Sequence, residues 1–181
     1  MVLLVTGFAR PAAAQDTPKA EVSAGYQWLA GKSSADDEWT KFPKGFYVDV
    51  AGNVSDTLSI VGQFSGNFKH FDDDDFDLKL YTYLVGLRGS SPGRVRGYGQ
   101  FLIGGAQLKA SNDAFSFSAS ESNLALQIGG GVNVLGSSPV GLRAGVDYLR
   151  IFSKDDGEVL EGESVNGFRF IVGVTFGIGS R

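Results

Sequence analysis

The stretch FRFIVGVTF, residues 168–176, constrains the fold more than any other part of the chain. Phe168, Phe170, Val172, Val174 and Phe176 are large and apolar, and they alternate with Arg169, Ile171, Gly173 and Thr175. In a strand successive side chains point to opposite faces, so these five share one side. On a helix, at ~100° per residue, they would scatter round the cylinder. The same period of two recurs to give eight such segments, at about 20–29, 45–53, 57–69, 76–88, 94–108, 123–134, 140–152 and 168–176. In the first, Val22, Ala24, Tyr26 and Trp28 oppose Ser23, Gly25 and Gln27. In the seventh, Val140, Leu142, Ala144, Val146 and Tyr148 oppose Arg143, Gly145 and Asp147. The fourth is expected to turn Phe76, Leu78 and Leu80 outward. Its alternation blurs over 81–85, which predicts either a bulge or a strand apolar on both faces.

The connections follow a second pattern. NVSDT, SSPG and GSSP are short and rich in turn residues. GKSSADDEWTKFP, KHFDDDD, KASNDAFSFSAS and SKDDGEVLEGES are longer or more polar. The order is long, short, long, short, long, short, long. In an up-and-down meander this puts every short turn at one end and every long loop at the other, the asymmetry of outer-membrane barrels. The fold class expected is therefore all-β, an eight-stranded antiparallel up-and-down transmembrane β-barrel. A soluble lipocalin-like carrier of small apolar ligands is the competing closed barrel, with the apolar face turned inward.

The chemistry of the polar face separates the two. It carries Gln27, Gln63, Gln100, Gln127, Asn123, Asn133, Ser23, Ser59 and Thr175, with glycine at 25, 129, 131, 145 and 173. A water-facing surface favours Lys and Glu. Uncharged amides, hydroxyls and glycines suit a crowded, hydrogen-bonded interior of narrow radius. The aromatics fit the inverted barrel as well. Tyr26, Trp28, Tyr148 and Phe168 fall near the long-loop ends of their strands, and Phe176 lies eight residues beyond Phe168. At a tilt of about 40° that spacing covers roughly 20 Å of the ~25 Å apolar band, so these five are expected to form the aromatic girdle. Closure of the last strand on the first would satisfy its edge, as hydrocarbon demands.

The first residues carry an export pattern. MVLLVTGFA is a short apolar run, and Ala12 and Ala14 precede Gln15 as an A-x-A cleavage site, which predicts a signal peptide at 1–14 and a barrel domain at 15–181. The basic residues that usually open such a signal are missing from this start. Removal would take Arg10 and no acid, moving the formal net charge from -4 to -5. The chain has no cysteine, so a lipid-modified N-terminal Cys, a disulfide and a thiolate nucleophile are excluded. It has no Lys/Arg-rich run, so nucleic acid is not an expected partner.

With those features in place, the chain resembles the small eight-stranded outer-membrane β-barrel family, the OmpA/OmpX-like group that includes the outer membrane protein beta-barrel domain and porin family proteins. YGQFLIGGA at 98–106, GLRAGVDYL at 141–149 and FRFIVGVTF carry the resemblance, which covers about 15–181. It implies residence in a Gram-negative-type outer membrane after export to the periplasm. It also implies contact with outer-membrane lipid and lipopolysaccharide, insertion by machinery that reads a terminal aromatic, here Phe176 followed by GIGSR, and a monomer. Full-length OmpA proteins also carry a periplasmic peptidoglycan-binding domain, which is not expected in this chain.

Candidate functional residues fall in three groups. Arg143, Asp147 and Arg169 share the proposed lumen side, with Arg96, Asp49, Lys79, Gln100 and Gln127 joining them as a polar network. Such a network either fills the barrel or lines a narrow, low-conductance porin-like path. The acidic runs ADDE at 35–38, Asp72, Asp73, Asp74 and Asp75 within HFDDDDFD, and 154–163 make a polar outer rim. The aspartate run is a weak cation candidate without the glycine and terminal glutamate of a calcium loop. No metal or cofactor is expected. Catalysis is not expected either: His70 is the only histidine, and neither Ser111 nor Ser118 sits in a nucleophile motif. The function expected is structural, adhesive or surface-interacting, through four long acidic outer loops.

Overall fold

The structure, a computed structural model, describes residues 18–33, 39–71, 76–112, 117–135, 140–152 and 164–180. Its strands are β1 (Pro18–Ser33), β2 (Trp39–Phe42), β3 (Lys44–Asn53), β4 (Leu58–Phe71), β5 (Phe76–Ser90), β6 (Val95–Asn112), β7 (Phe117–Leu135), β8 (Val140–Phe152) and β9 (Ser164–Ser180). Neighbours in sequence are antiparallel neighbours in space, and β9 pairs with β1 from Pro18↔Ser180 to Ser33↔Val165. The sheet therefore closes, and no edge is left to hydrocarbon.

β2 and β3 form one stave of the eight. They are interrupted at Pro43, between the pairs Leu29↔Phe42 and Tyr26↔Phe46. Two residues of β1 there oppose three on the other side, a β-bulge. The bulge accommodates a proline that has no N–H to donate. Directly opposed residues can be followed round the barrel from Glu21 through Ala51, Val61, Gly86, Leu102, Gln127 and Leu149 to Gly167, which returns to β1 at Gly31. The stagger is thus ten residues over eight staves. A stagger of that size tilts the strands by roughly 40° and leaves an interior that side chains can fill.

The alternation places the faces as the sequence implied, with one correction. On β5 it is Leu80, Thr82 and Leu84 that are buried, and Tyr83, Val85 and Leu87 that are exposed. Leu78 and Leu80 therefore point inward, not outward. No bulge interrupts β5, whose pairing runs unbroken from Phe71↔Phe76 to Leu58↔Gly89. The strand is apolar on both faces, and that hid its register.

Several strands also run further than the alternation suggested. β4 and β5 pair as far as Phe71↔Phe76, and β6 and β7 as far as Asn112↔Phe117. Residues 69–71 of the expected loop KHFDDDD, and 109–112 and 117–120 of KASNDAFSFSAS, are therefore paired strand. The reason is that apolar alternation ends where lipid ends, whereas backbone pairing continues in water. At the other end the turns are short. Gly93 adopts φ 115°, and the Ser91 Oγ accepts from the Gly97 N–H at 2.9 Å. Only a residue without a side chain takes that φ readily.

Candidate functional site

The lumen is built by one parity of each strand. Ser23, Gln27, Asp49, Gln63, Ser65, Arg88, Arg96, Gln100, Gln127, Asn133, Arg143, Asp147, Arg169 and Thr175 are all buried inside it. Most of them join one continuous polar chain. At the short-turn end, Arg96 donates to Glu21 at 2.9 Å. Arg143 lies 3.6 Å from the other Glu21 oxygen and donates to Asn133 at 2.7 Å and to Asp49. Arg88 donates to the same Asp49 carboxylate at 2.9 Å and to Gln100 at 3.0 Å. Gln100 passes the chain to Asp147 at 2.9 Å. Asp147 accepts from Arg169 at 3.0 Å, and Arg169 donates on to Gln63 at 2.7 Å and Ser65 at 3.2 Å. Isolated charge in such a place would be expensive, so each guanidinium finds a carboxylate.

Aromatic rings support this chain from the side. The guanidinium groups of Arg88 and Arg143 lie 5.1 and 5.2 Å from the centre of the Tyr98 ring, within cation–π range. The Tyr47 ring lies against Gly25 and Gly173, and the Tyr98 hydroxyl against Gly145. Any side chain at those glycines would displace a ring.

Two strand positions beyond the polar chain, the lumen changes character. Leu29, Phe42, Leu80, Leu149 and Ile151 are buried together at the long-loop end. They form an apolar layer over the charges. Alternation on β8 makes the junction plain: Asp147 is the last lumenal charge, and Leu149 and Ile151 follow it.

Of the residues expected in the lumen, Arg143, Asp147, Arg169, Arg96, Asp49 and Gln100 meet in the chain described. Gln127 is buried beside them with its amide unpaired among the described residues. Lys79 is corrected: it lies on the outward row of β5 with Tyr81 and Tyr83, because Leu78 and Leu80 hold the inward positions. Arg88 and Glu21 were not anticipated. Arg88 sits beyond the blurred stretch of β5, and Glu21 near the start of β1. Parity carried on from Thr82 would have found the first, and parity with Ser23 the second.

The outer face carries the girdle residues. Tyr26, Phe168 and Phe176 are exposed, and Trp28 and Tyr148 half-buried. Trp28 stacks on Phe170 at 5.3 Å, and Tyr148 tilts against Phe168 at 5.5 Å while donating its hydroxyl to Asn166 at 3.0 Å. The acidic runs at 35–38, 72–75 and 154–163, and the export segment 1–14, lie outside the described residues. The backbone register sets His70 opposite Asp77, Asp77 opposite Ser111 and Ser111 opposite Ser118.

Comparison with known proteins agrees with this geometry. A family model described as outer membrane protein beta-barrel domain matches residues 1–178. Among solved structures, the chain is similar to Neisserial surface protein A, NspA, with 19% identity and a TM-score of 0.69 over 88% of this chain and 97% of that one. It is also similar to Ail, the attachment invasion locus protein of Yersinia pestis, with 23% identity and a TM-score of 0.60 over 88% of this chain and 99% of Ail. A second structure of Ail, in complex with the heparin analogue sucrose octasulfate, matches at 21% identity with a TM-score of 0.58 over 88% of this chain and 99% of that one. These likenesses are likenesses of fold. No curated protein sequence matches the chain significantly.

Proposed function

This chain belongs to the outer membrane protein beta-barrel domain family, and from that membership we propose that it is a surface-interaction protein, its barrel a closed anchor and its outer hairpins the working part. It resides in the outer membrane, among phospholipid and lipopolysaccharide. The observation that supports the anchor is the filled lumen. The chain of ion pairs and amides from Arg96 to Gln63 occupies the polar half. Leu29, Leu80 and Leu149 cover it on the outer side. An eight-stranded interior has room for side chains and little else.

Support for the outer hairpins comes from their length and composition. β6 and β7 stay paired out to Asn112↔Phe117, and the sequences that join β4 to β5 and β8 to β9 carry the acidic runs 72–75 and 154–163. The name of Ail, attachment invasion locus, is in keeping with surface work on a similar barrel. The proposal includes a monomeric barrel, since every stave is paired with two others, and insertion machinery that reads the aromatic end of β9 at Phe176. It includes no catalysis.

The test has two arms, the first on the refolded chain with residues 1–14 removed and the second on the chain expressed with its export segment. In planar bilayers the barrel is expected to give no discrete conductance steps. Steps whose ion selectivity changes in Asp147→Asn would establish the narrow channel instead. On the cell surface, shortening the β6–β7 hairpin to its membrane-level residues is expected to abolish attachment to host cells or matrix while leaving folding intact. Unchanged attachment would sink the surface role. Ester hydrolysis lost in His70→Gln would overturn the non-enzymatic part.

A further inference from the structure

The charges inside the barrel do not balance. Among the described residues, four guanidiniums, on Arg88, Arg96, Arg143 and Arg169, are buried with three carboxylates, on Glu21, Asp49 and Asp147. Arg169 and Asp147 form a pair at 3.0 Å. The excess therefore falls in the short-turn half of the lumen, where Arg88, Arg96 and Arg143 share Glu21 and Asp49. Arginine does not shed its proton to relieve it. A positive charge withdrawn from water in this way calls for a negative one beside it.

The unpartnered polar atoms around these charges are donors. Arg96 Nε, Arg143 Nη2 and the hydroxyls of Tyr47 and Tyr98 make no hydrogen bond among the described residues, although Arg143 Nη2 lies 3.6 Å from a Glu21 oxygen. Their residues are between 0% and 6% exposed, so bulk water does not serve them. The unpartnered acceptors belong to the amides of Gln27, Asn67 and Gln127. Those stand next to the apolar layer: Asn67 opposes Leu80, Gln127 opposes Leu149, and Gln27 is two residues from Leu29.

The pairing register brings the four donors together. Arg96, Asn133, Arg143, Gly173, Gly25 and Tyr47 are successive partners in one row of opposed residues. Neither glycine puts a side chain between Arg143 and Tyr47, and the Tyr47 hydroxyl lies over Gly173. Tyr98, two residues beyond Arg96, lays its hydroxyl over Gly145, two residues beyond Arg143. Gly145 and Gly173 are diagonal neighbours, since Arg143 opposes Gly173 and Gly145 opposes Ile171. The two phenols thus converge on one glycine floor beside Arg143, whose guanidinium lies 5.2 Å from the centre of the Tyr98 ring. N–H and O–H donors around an uncompensated positive charge suit a small anion, which accepts strong hydrogen bonds and needs no donor role of its own.

We propose that the short-turn half of the lumen binds one inorganic anion of chloride size, held by Arg143 and the Tyr47 and Tyr98 hydroxyls, with Arg96 at its entrance. The bound ion brings the lumen to neutrality. The rings that supply the hydroxyls also crowd the space over Gly25, Gly145 and Gly173, which favours a halide over a bulky oxyanion. Leu29, Leu80 and Leu149 cover the other end, so the ion enters and leaves past Arg96 and Glu21. The barrel holds it without conducting it. The site is independent of the attachment role.

The test uses the refolded chain without residues 1–14 in a non-ionic detergent, with urea unfolding measured in sodium chloride and in sodium gluconate at equal ionic strength. An ion that binds only the folded barrel raises the unfolding midpoint as its concentration rises, and chloride is expected to do so. Tyr47→Phe combined with Tyr98→Phe keeps both rings and removes both hydroxyls. It is expected to fold and to need about tenfold more chloride, or beyond, for the same rise. Arg96→Gln balances the lumen charge and is expected to abolish the chloride dependence. Arg150→Gln, an exposed cation on β8, is expected to retain it. Crystals of the unaltered barrel grown in bromide are expected to show an anomalous peak within hydrogen-bond reach of Arg143 and both hydroxyls. Bromide crystals without that peak overturn the site, whether or not the variants fold. So does a midpoint indifferent to chloride, or the same chloride dependence in the tyrosine and Arg96 variants as in the unaltered chain. Tyrosinate absorbance at neutral pH, lost in the phenylalanine variant, would show a phenolate supplying the negative charge and would overturn it too.

Discussion

Asp147 and Arg169 stand directly opposite each other on β8 and β9, joined at 3.0 Å with both side chains withdrawn from solvent. Because Arg169 also donates to Gln63 and Ser65, the pair links β8 and β9 to β4 across the lumen.

Removing one member of that pair leaves the other buried and uncompensated. Asp147→Ala is expected to lower stability by about 3–5 kcal/mol. The double variant Asp147→Leu with Arg169→Met is expected to recover most of that loss, since a buried pair replaced by apolar groups is often neutral or better. Urea unfolding of the barrel in lipid vesicles, followed by tryptophan fluorescence, measures both. A double variant as unstable as the single one would mean that the ion pair contributes net stability.

The lipid face makes a depth-dependent prediction. Val172 is 57% exposed and Ile178 54% exposed, so in water arginine would be tolerated equally at either. In a bilayer Val172 falls in the middle of β9 and Ile178 at its rim. Val172→Arg is expected to cost about 2–4 kcal/mol and Ile178→Arg about 0–1 kcal/mol. Equal costs in vesicle refolding would contradict the orientation of the band.

Glycine is required at some lumenal positions and dispensable at an outer one. A Cβ at Gly173 would press on the Ala24 carbonyl, the Gly25 Cα and the Tyr47 hydroxyl. Backbone on one side and a buried ring on the other leave little room to relax. Gly173→Val is expected to destabilise by at least about 1–3 kcal/mol, whereas a Cβ at the outer Gly62 would meet nothing within 4 Å, so Gly62→Leu is expected to fold normally. The heat-modifiable fraction at fixed urea distinguishes the two.

Folding itself depends on an apolar phase. The exposed outer surface includes Phe46, Phe64, Phe101, Phe168, Phe170 and Phe176, a belt far larger than water-soluble monomers present. Refolding without residues 1–14 is expected to give β-type circular dichroism and a heat-modifiable band in detergent, and aggregation in plain buffer. A soluble, cooperatively unfolding monomer in buffer would reverse the inside and outside of the barrel.

The legibility of the molecule follows the clarity of its alternation. β8 and β9 alternate large apolar residues with Arg143, Asp147, Arg169 and Gly173, so their faces and several lumen residues could be read directly. β5 carries Leu80 and Leu84 inside and Tyr83 and Val85 outside. With both parities apolar, the period of two loses its contrast, and neither the outward side of Lys79 nor the inward side of Arg88 can be read from it. The hairpins beyond the membrane were shortened for a related cause, since polar residues can pair their backbones in water without showing an apolar stripe.

The sequence by itself determined the strand count, the up-and-down order, the apolar outer face and the kinds of residue that fill the lumen. These depend on local periodicity and on turn chemistry, which neighbouring residues carry. Only the tertiary structure decided which charges meet. Asp49 receives Arg88 and Arg143 from strands 39 and 94 residues away along the chain. It also brought Arg96, Arg143 and Tyr47 into one row of opposed residues, and set the ten-residue stagger that aligns them. Stagger is a property of closure: it is fixed when β9 finds its register on β1, and no single segment of the chain encodes it.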